Sequence, residues 1–313
     1  MLDTFLLTLS PMLVMFLCML IGFVLNKANL APKNTGAVLS RLETHILMPA
    51  LIINTFTTYC TPASIADQAP SILFCILGIA ITVALAFPLA RCFYKDGYEK
   101  KLYQYALLSA NFGFLGNAIV PQILGQEALY PYMLFTLLLN LMCYGWWANI
   151  LIPSGNSKHS FLRNLLNPTF MALILGAVLG LLGVRQYLPD FLTDTIANLS
   201  ACMGPLAMIL TGFIIGNYDL KALLKNKKVY LASVLRLIVI PALVIGIFYL
   251  LGANKQVLVM SLFAFGTPLG LNTVIIPTSY GSDAHTGASM TMISHVACIL
   301  TIPLMYAILL AIL

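Results

Sequence analysis

The sequence has little charge. Only 8% of its 313 residues are Asp, Glu, Lys or Arg, against 60% that are hydrophobic, which is too little polar surface to cover a water-soluble domain. It has no CxxC pair. The seven cysteines, at 18, 60, 75, 92, 143, 202 and 298, lie within or at the ends of apolar stretches and read as unpaired structural thiols. HExxH and paired intramembrane aspartates are missing, and His45, His159, His285 and His295 show no metal-ligand spacing, which argues against a membrane protease of either type. No glycine-rich phosphate loop is present, so this chain alone does not use ATP. The reading is a non-enzyme without cofactor or metal. Long polar segments are also absent, the longest link being Pro153 to Asn167.

What the chain has is apolar length. Ten segments can be marked, roughly 5–26, 36–58, 68–94, 103–124, 128–152, 168–184, 195–216, 229–251, 256–280 and 285–312, most near the ~20 residues a bilayer requires. The expectation is an all-α membrane protein with ten transmembrane helices. The first segment follows only Asp3, with no basic leader and no small-residue cleavage site, and is expected to be a retained helix.

The +6 net charge reports topology rather than nucleic-acid binding, because alternate loops carry it. Lys27, Lys33 and Arg41 follow span 1; Arg91, Lys95, Lys100 and Lys101 follow span 3; Lys158 and Arg163 follow span 5; Lys221, Lys225, Lys227 and Lys228 follow span 7. Only Arg185 and Lys255 fall on the other side, with Arg236 in or near the edge of span 8. The positive-inside rule makes the four basic loops cytoplasmic and both termini external.

The chain also repeats itself. Pro11 falls on Pro168 and Pro32 on Pro189 at an offset of 157; Pro49 falls on Pro205, Pro121 on Pro277 and Gly125 on Gly281 at 156. "GQEA" meets "GSDA" in the same register. A duplication follows, with halves 1–156 and 157–313. Each half holds five spans, an odd number, so the second copy enters the membrane from the opposite side. Inverted repeats are an architecture of secondary transporters.

Spans 4 and 9 carry poor helix formers at matched places. In "SANFGFLGNAIVPQILG" (109–125), Pro121 crowds the carbonyl of Asn117, and Gly113 and Gly116 weaken the same turn. In "FGTPLGLNTVIIPTSYG" (265–281), Pro268 and Pro277 bracket Gly270, Asn272 and Thr273. Irregular backbone at membrane depth survives where protein or a watery cavity satisfies it. Breaks there are expected to line a polar site, with half-helix ends attracting ions. Asn111, Asn117 and Asn272 can donate and accept, while Thr267 and Thr273 add hydroxyls. Pro49, Pro205, Pro241 and Pro303 read as ordinary kinks.

Titratable groups inside spans are functional candidates by default. His295 could relay a proton, although a histidine bonded to a backbone carbonyl is the favoured reading, and His45 is a weaker candidate. Glu127 and Asp283 follow the glycines that end spans 4 and 9; capping of the next helix is expected for both, with ion coupling open. Arg236 is expected to snorkel to the cytoplasmic edge, the other reading being a counter-charge for an anion.

"NAIVPQILG" and "NTVIIPTSYGSDAHTGASMTMISHVACILTIPLMY" resemble the fourth and the ninth-to-tenth spans of the auxin efflux carrier family, which includes plant auxin exporters and bacterial permeases assigned to malate or malonate. The resemblance covers essentially the whole chain. It implies two inverted five-helix repeats, similar in fold to bile-acid and sodium/proton transporters. Spans 1, 2, 6 and 7 would form a scaffold, often dimeric, and spans 3–5 and 8–10 an elevator-like transport domain in which spans 4 and 9 cross. The substrate carboxylate would lie at that crossing, at or beside Asn117, Pro121, Asn272 and Pro277. The long loop joining the halves of the plant proteins is absent, and span 3 has no acid or lysine through 71–90. A small organic anion, such as malate or malonate, fits better than an indole.

The function expected is therefore secondary transport of small mono- or dicarboxylates across a bacterial inner membrane, with proton or sodium coupling, lipid around the protein and a homodimeric state. The alternatives are a sodium-coupled symporter of the bile-acid carrier type and a non-transporting receptor or channel.

Overall fold

The computed structural model describes residues 1–153 and 166–313. Lys158, His159, Arg163 and the boundary between the halves at 156/157 lie outside the described residues. Among the described residues every regular element is a helix, and the only ladder-type pairing is one isolated antiparallel bridge, Ala110 to Leu269.

Among the described residues six helices are long and apolar enough to cross a membrane: α1 (Leu2–Lys27), α2 (Thr35–Tyr59), α3 (Pro62–Phe93), α9 (Asp190–Gly216), α10 (Lys227–Leu250) and α13 (His285–Ile312). The fourth apolar segment is divided into α4 (Gly97–Leu108) and α5 (Phe112–Leu124). The fifth is a pair bent by 51°, α6 (Gln126–Phe135) and α7 (Leu137–Ile150). The sixth is the short α8 (Pro168–Leu181), and the ninth is divided into α11 (Lys255–Phe265) and α12 (Asn272–Ser279). Every apolar segment marked in the sequence thus carries helix, and the two segments with paired breakers are the ones whose gaps pair with each other, whereas the fifth is divided by a single turn at Thr136.

Local sequence sets these ends. Thr61 and Ser64 form a reciprocal capping box at the start of α3, with Pro62 at the first helical position. Asn167 and Asn254 accept from the backbone N–H groups of Phe170 and Val257 at the starts of α8 and α11, each at 2.9 Å. Pro49 and Pro241 do not break their helices. Each follows a widened π-type turn, Glu43–Leu47 and Leu235–Val239, which accommodates the ring and its missing N–H. Pro205 and Pro303 lie within continuous helices.

Hydrogen bonds tie the basic loops together at one end of the molecule. Lys27 donates to the Tyr218 carbonyl at 2.9 Å, Lys228 to that of Phe93 at 2.7 Å, and Thr286 to Glu99 at 3.2 Å. At the other end Arg185 donates to Asn54, Ser64 to Tyr130, and Gln256 to Gln68.

The tightest helix pair is α1 against α9. A Cβ on Gly22 would overlap the Ile209 carbonyl, and one on Gly212 would overlap that of Met19, so both glycines are needed for the backbones to approach. Gly176 and Gly180 of α8 play the same part against Ile53, Phe56 and Cys60. Outer faces stay greasy: Leu7, Leu17, Ile21 and Val24 of α1, and Met171, Ile174 and Val178 of α8, are exposed. A surface of this kind belongs in lipid or against another apolar surface.

Candidate functional site

The two interrupted segments cross at their interruptions. The gap after α4, Ser109 to Asn111, runs antiparallel to the gap after α11, and the Asn111 N–H donates to the Pro268 carbonyl at 2.7 Å. In a continuous helix that N–H would bond to Leu107. The freed Leu107 carbonyl instead accepts from Arg236 Nη1 at 2.9 Å. The Tyr132 hydroxyl is shared between the carbonyls of Phe112 (3.0 Å) and Phe263 (3.3 Å), and the Leu269 N–H donates to Ser294 Oγ at 3.1 Å. Buried backbone groups need such partners. Side chains from α6, α10 and α13 therefore replace the helical bonds lost at the crossing. Gly270 lets the chains pass, since a Cβ there would lie 3.2 Å from the Ser109 carbonyl.

The location of the first interruption corrects the sequence expectation. Pro121 lies inside α5, and the gap is at 109–111, three turns earlier. A proline alone costs one bond and a steric clash, which a helix can absorb; pairing with the other segment diverts the backbone at Asn111. Pro277 likewise lies within α12, whereas Pro268 and Gly270 are in the second gap.

Asn111 and Asn272 are brought to one small cavity of about 20 Å3 with Ser109, Asn140, Cys143 and Tyr144. Asn272 Nδ2 donates to the Tyr105 hydroxyl at 2.8 Å, and that hydroxyl also meets Cys143 Sγ at 3.2 Å. Asn111 Nδ2 faces His295 Nε2 at 2.9 Å, while His295 Nδ1 lies 2.7 Å from the Thr291 carbonyl. A carbonyl only accepts, so Nδ1 carries a proton; with the Asn111 amide donating, Nε2 is the acceptor and the ring is neutral. The carbonyl-bonded reading of His295 fits this geometry; His45 Nδ1 lies 3.0 Å from the Arg41 carbonyl.

Asn117 and Pro121 face elsewhere. They line a larger cavity of about 430 Å3 between α2, α5 and α9. Asn117 is 7% exposed, its Nδ2 meets only the Met48 sulfur at 3.7 Å, and its Oδ1 has no partner. Asn117 and Asn140 also line one further small cavity beside Tyr144, and Asn140 in turn borders the crossing cavity. Thr273 is buried and donates back to the Gly270 carbonyl at 2.8 Å. The buried Thr267 hydroxyl has no partner. On the basic end, a cavity of about 520 Å3 is lined by Lys33, Arg41, Asn217, Thr278 and Ser279.

Glu127 and Asp283 are not at the crossing. Asp283, one residue before the N-cap Ala284, accepts through Oδ1 from the His285 N–H at the start of α13 at 2.9 Å. Glu127 lies in the first turn of α6 without a side-chain hydrogen bond to it.

Arg236 contradicts the snorkelling expectation. It is 1% exposed and anchored on the Leu107 carbonyl at the C-terminal end of α4. The negative end of a half-helix inside the protein offers a guanidinium more than the distant headgroups do. Sequence reasoning also missed Tyr105, Tyr132, Asn140 and Ser294, and the buried Glu43, whose carboxyl oxygens have no partner.

Paired breaks with polar cavities in an apolar helical body are features that membrane transporters share. The family model described as "membrane transport protein" matches the chain twice, over residues 7–161 and 156–306. The chain belongs to this auxin efflux carrier-like family, whose members are transporters rather than enzymes. No curated protein matches the chain.

Proposed function

We propose that this protein is a secondary transporter of small organic anions, mono- or dicarboxylates of the size of malate or malonate, with the substrate at the crossing of the two interrupted spans. The observation that carries the reading is the antiparallel passage of 109–111 against 268–270, with Asn111 and Asn272 on a shared cavity. The half-helices α5 and α12 start there, so their positive dipole ends favour an anion, and the two amides supply donors. Asn117, Pro121, Thr267, Thr273 and Pro277 complete the proposed substrate path.

In this reading the ten apolar segments form two inverted five-span repeats, 1–156 and 157–313. The α1–α9 and α2–α8 packing supports a scaffold of spans 1, 2, 6 and 7, against which spans 3–5 and 8–10 move as an elevator. The exposed apolar faces of α1 and α8 suit lipid or a second copy, so a homodimer is proposed. Eleven described cations at one end support a cytoplasmic placement of that end, external termini and residence in a bacterial inner membrane. Coupling is assigned to a proton or sodium. Through its bond to Asn111, His295 is the group by which protonation would reach the substrate site, while Glu127 and Asp283 would act only at the two exits.

The test is uptake of labelled three- and four-carbon carboxylates into proteoliposomes under proton, sodium and voltage gradients. Uptake that collapses in Asn272→Ala is expected. No uptake of any carboxylate under every gradient would reject the reading.

A further inference from the structure

The 430 Å3 cavity between α2, α5 and α9 holds a single charged side chain, Arg185, and no acid. Its volume is within the ~300–1,000 Å3 of ligand pockets. Arg185 Nη1 donates to Asn54 Oδ1 (3.2 Å) and Thr57 Oγ1 (3.4 Å). Both partners are neutral. Among the described residues the one ion pair is Lys100 with Asp96, so none of their carboxylates pairs with this cation. Two acceptors meet at one nitrogen, which leaves the Nε and Nη2 edge of a rigid five-donor fork for something else.

A second, independent feature lies in the wall of the same cavity. Asn117 lines it from α5, is 7% exposed, and has Oδ1 without a partner and only a thioether at Nδ2. A buried primary amide with no strong partner is costly, and it can turn to present either atom. Thr58, Gln122, Gln126 and Ser200 add neutral polar groups to the wall. The lining matches a small anion that is polar along its length.

We propose that this cavity captures the transported anion at the end of the protein that carries Arg185, before the anion reaches the crossing. Arg185 receives one carboxylate two-pronged, and Asn117 receives the far end of the molecule, a second carboxyl or a hydroxyl. The proposal rests on the organic-anion reading above and adds the residue that selects for a carboxylate on one side of the membrane. The cavity at the opposite end lacks Arg185, so the effect of removing it is one-sided.

The experiment measures malonate and malate KM from each face in vesicles of defined orientation, for wild type, Arg185→Gln and Arg185→Lys. Arg185→Gln is expected to raise KM about tenfold from the Arg185 face, equivalent to ~1.4 kcal/mol, with the opposite face unchanged. Arg185→Lys, which keeps charge and loses the fork, is expected to raise it about threefold. Should Arg185→Gln fail to fold, judged by its melting temperature without substrate, the lysine variant carries the test alone. Unchanged KM at both faces, or an equal fall in kcat at both, overturns the capture site while leaving the transporter reading intact. Absence of carboxylate uptake by the wild-type protein overturns both.

Discussion

Two regions of the molecule bring backbones into unusually close contact, and they do so in opposite ways. Where α1 packs on α9, Gly22 and Gly212 remove the Cβ atoms that would strike the Ile209 and Met19 carbonyls, and each helix keeps its own ladder of hydrogen bonds. At the crossing, Gly270 permits the approach, but bonds are exchanged: Asn111 donates to Pro268, and Leu107 accepts from Arg236. Around these glycines the first contact is close packing, joined by hydrogen bonds only at the helix ends, Asn26 to Asn217 and Lys27 to Tyr218, and it can change only by separating the helices. The second is held by side-chain groups whose places a ligand can take.

Crowding the packed contact is the largest perturbation expected. Gly212→Leu drives a side chain into the Met19 carbonyl, backbone with no room to move, and should cost about 3 kcal/mol or more. Thermal melting in detergent measures it. A variant melting like wild type would mean that α1 and α9 are not a fixed unit. Tyr132→Phe tests the other region at intermediate cost, because it strips the donor shared by the Phe112 and Phe263 carbonyls. Leaving the buried Phe263 carbonyl bare costs about 1–3 kcal/mol, while the Phe112 carbonyl keeps a backbone partner. Transport should fall more steeply than stability, and an effect on melting alone would make the crossing another rigid joint.

The difference between the regions also explains what could be read from the sequence. Apolar length located the helical segments, and the recurrence of proline and glycine marked the two whose gaps pair with each other. Those signals are local, set by what one residue does to its own backbone. The positions of the gaps were displaced, because Asn111 leaves its helix for a partner about 157 residues away in sequence, Pro268. Arg236, Tyr132 and Tyr105 were missed for the same reason: their roles are defined by carbonyls and amides on other elements. A basic residue in the apolar stretch around 236, and a tyrosine one turn before the first gap, were the signals available.

Asn272→Ala sharpens the comparison further. Its amide bond to Tyr105 is short but its side chain is only partly buried, so stability should fall by about 1 kcal/mol. Carboxylate uptake should fall at least tenfold if that amide meets the substrate. Equal uptake would place the anion elsewhere along the path, and thermal-shift binding of malonate to the same variant would separate lost binding from lost movement.

The smallest expected effect lies at Glu127 and Asp283, where sequence symmetry suggests equivalence and the structure gives a difference. Glu127 and Asp283 stand at matched offsets after Gly125 and Gly281. Only Asp283 accepts a helix-start N–H, that of His285 at 2.9 Å; Glu127 makes no such bond in its turn. Asp283→Ala should therefore cost ~0.5–1 kcal/mol, typical of a lost N-terminal cap, and Glu127→Ala should melt like wild type. The shorter aspartate reaches back to the backbone, whereas the longer glutamate meets its helix only through the dipole, a weak and screened attraction at an exposed site. Equal losses in the two variants would restore the symmetry of the pair, and a larger loss for Glu127 would assign it a partner that the turn geometry does not provide.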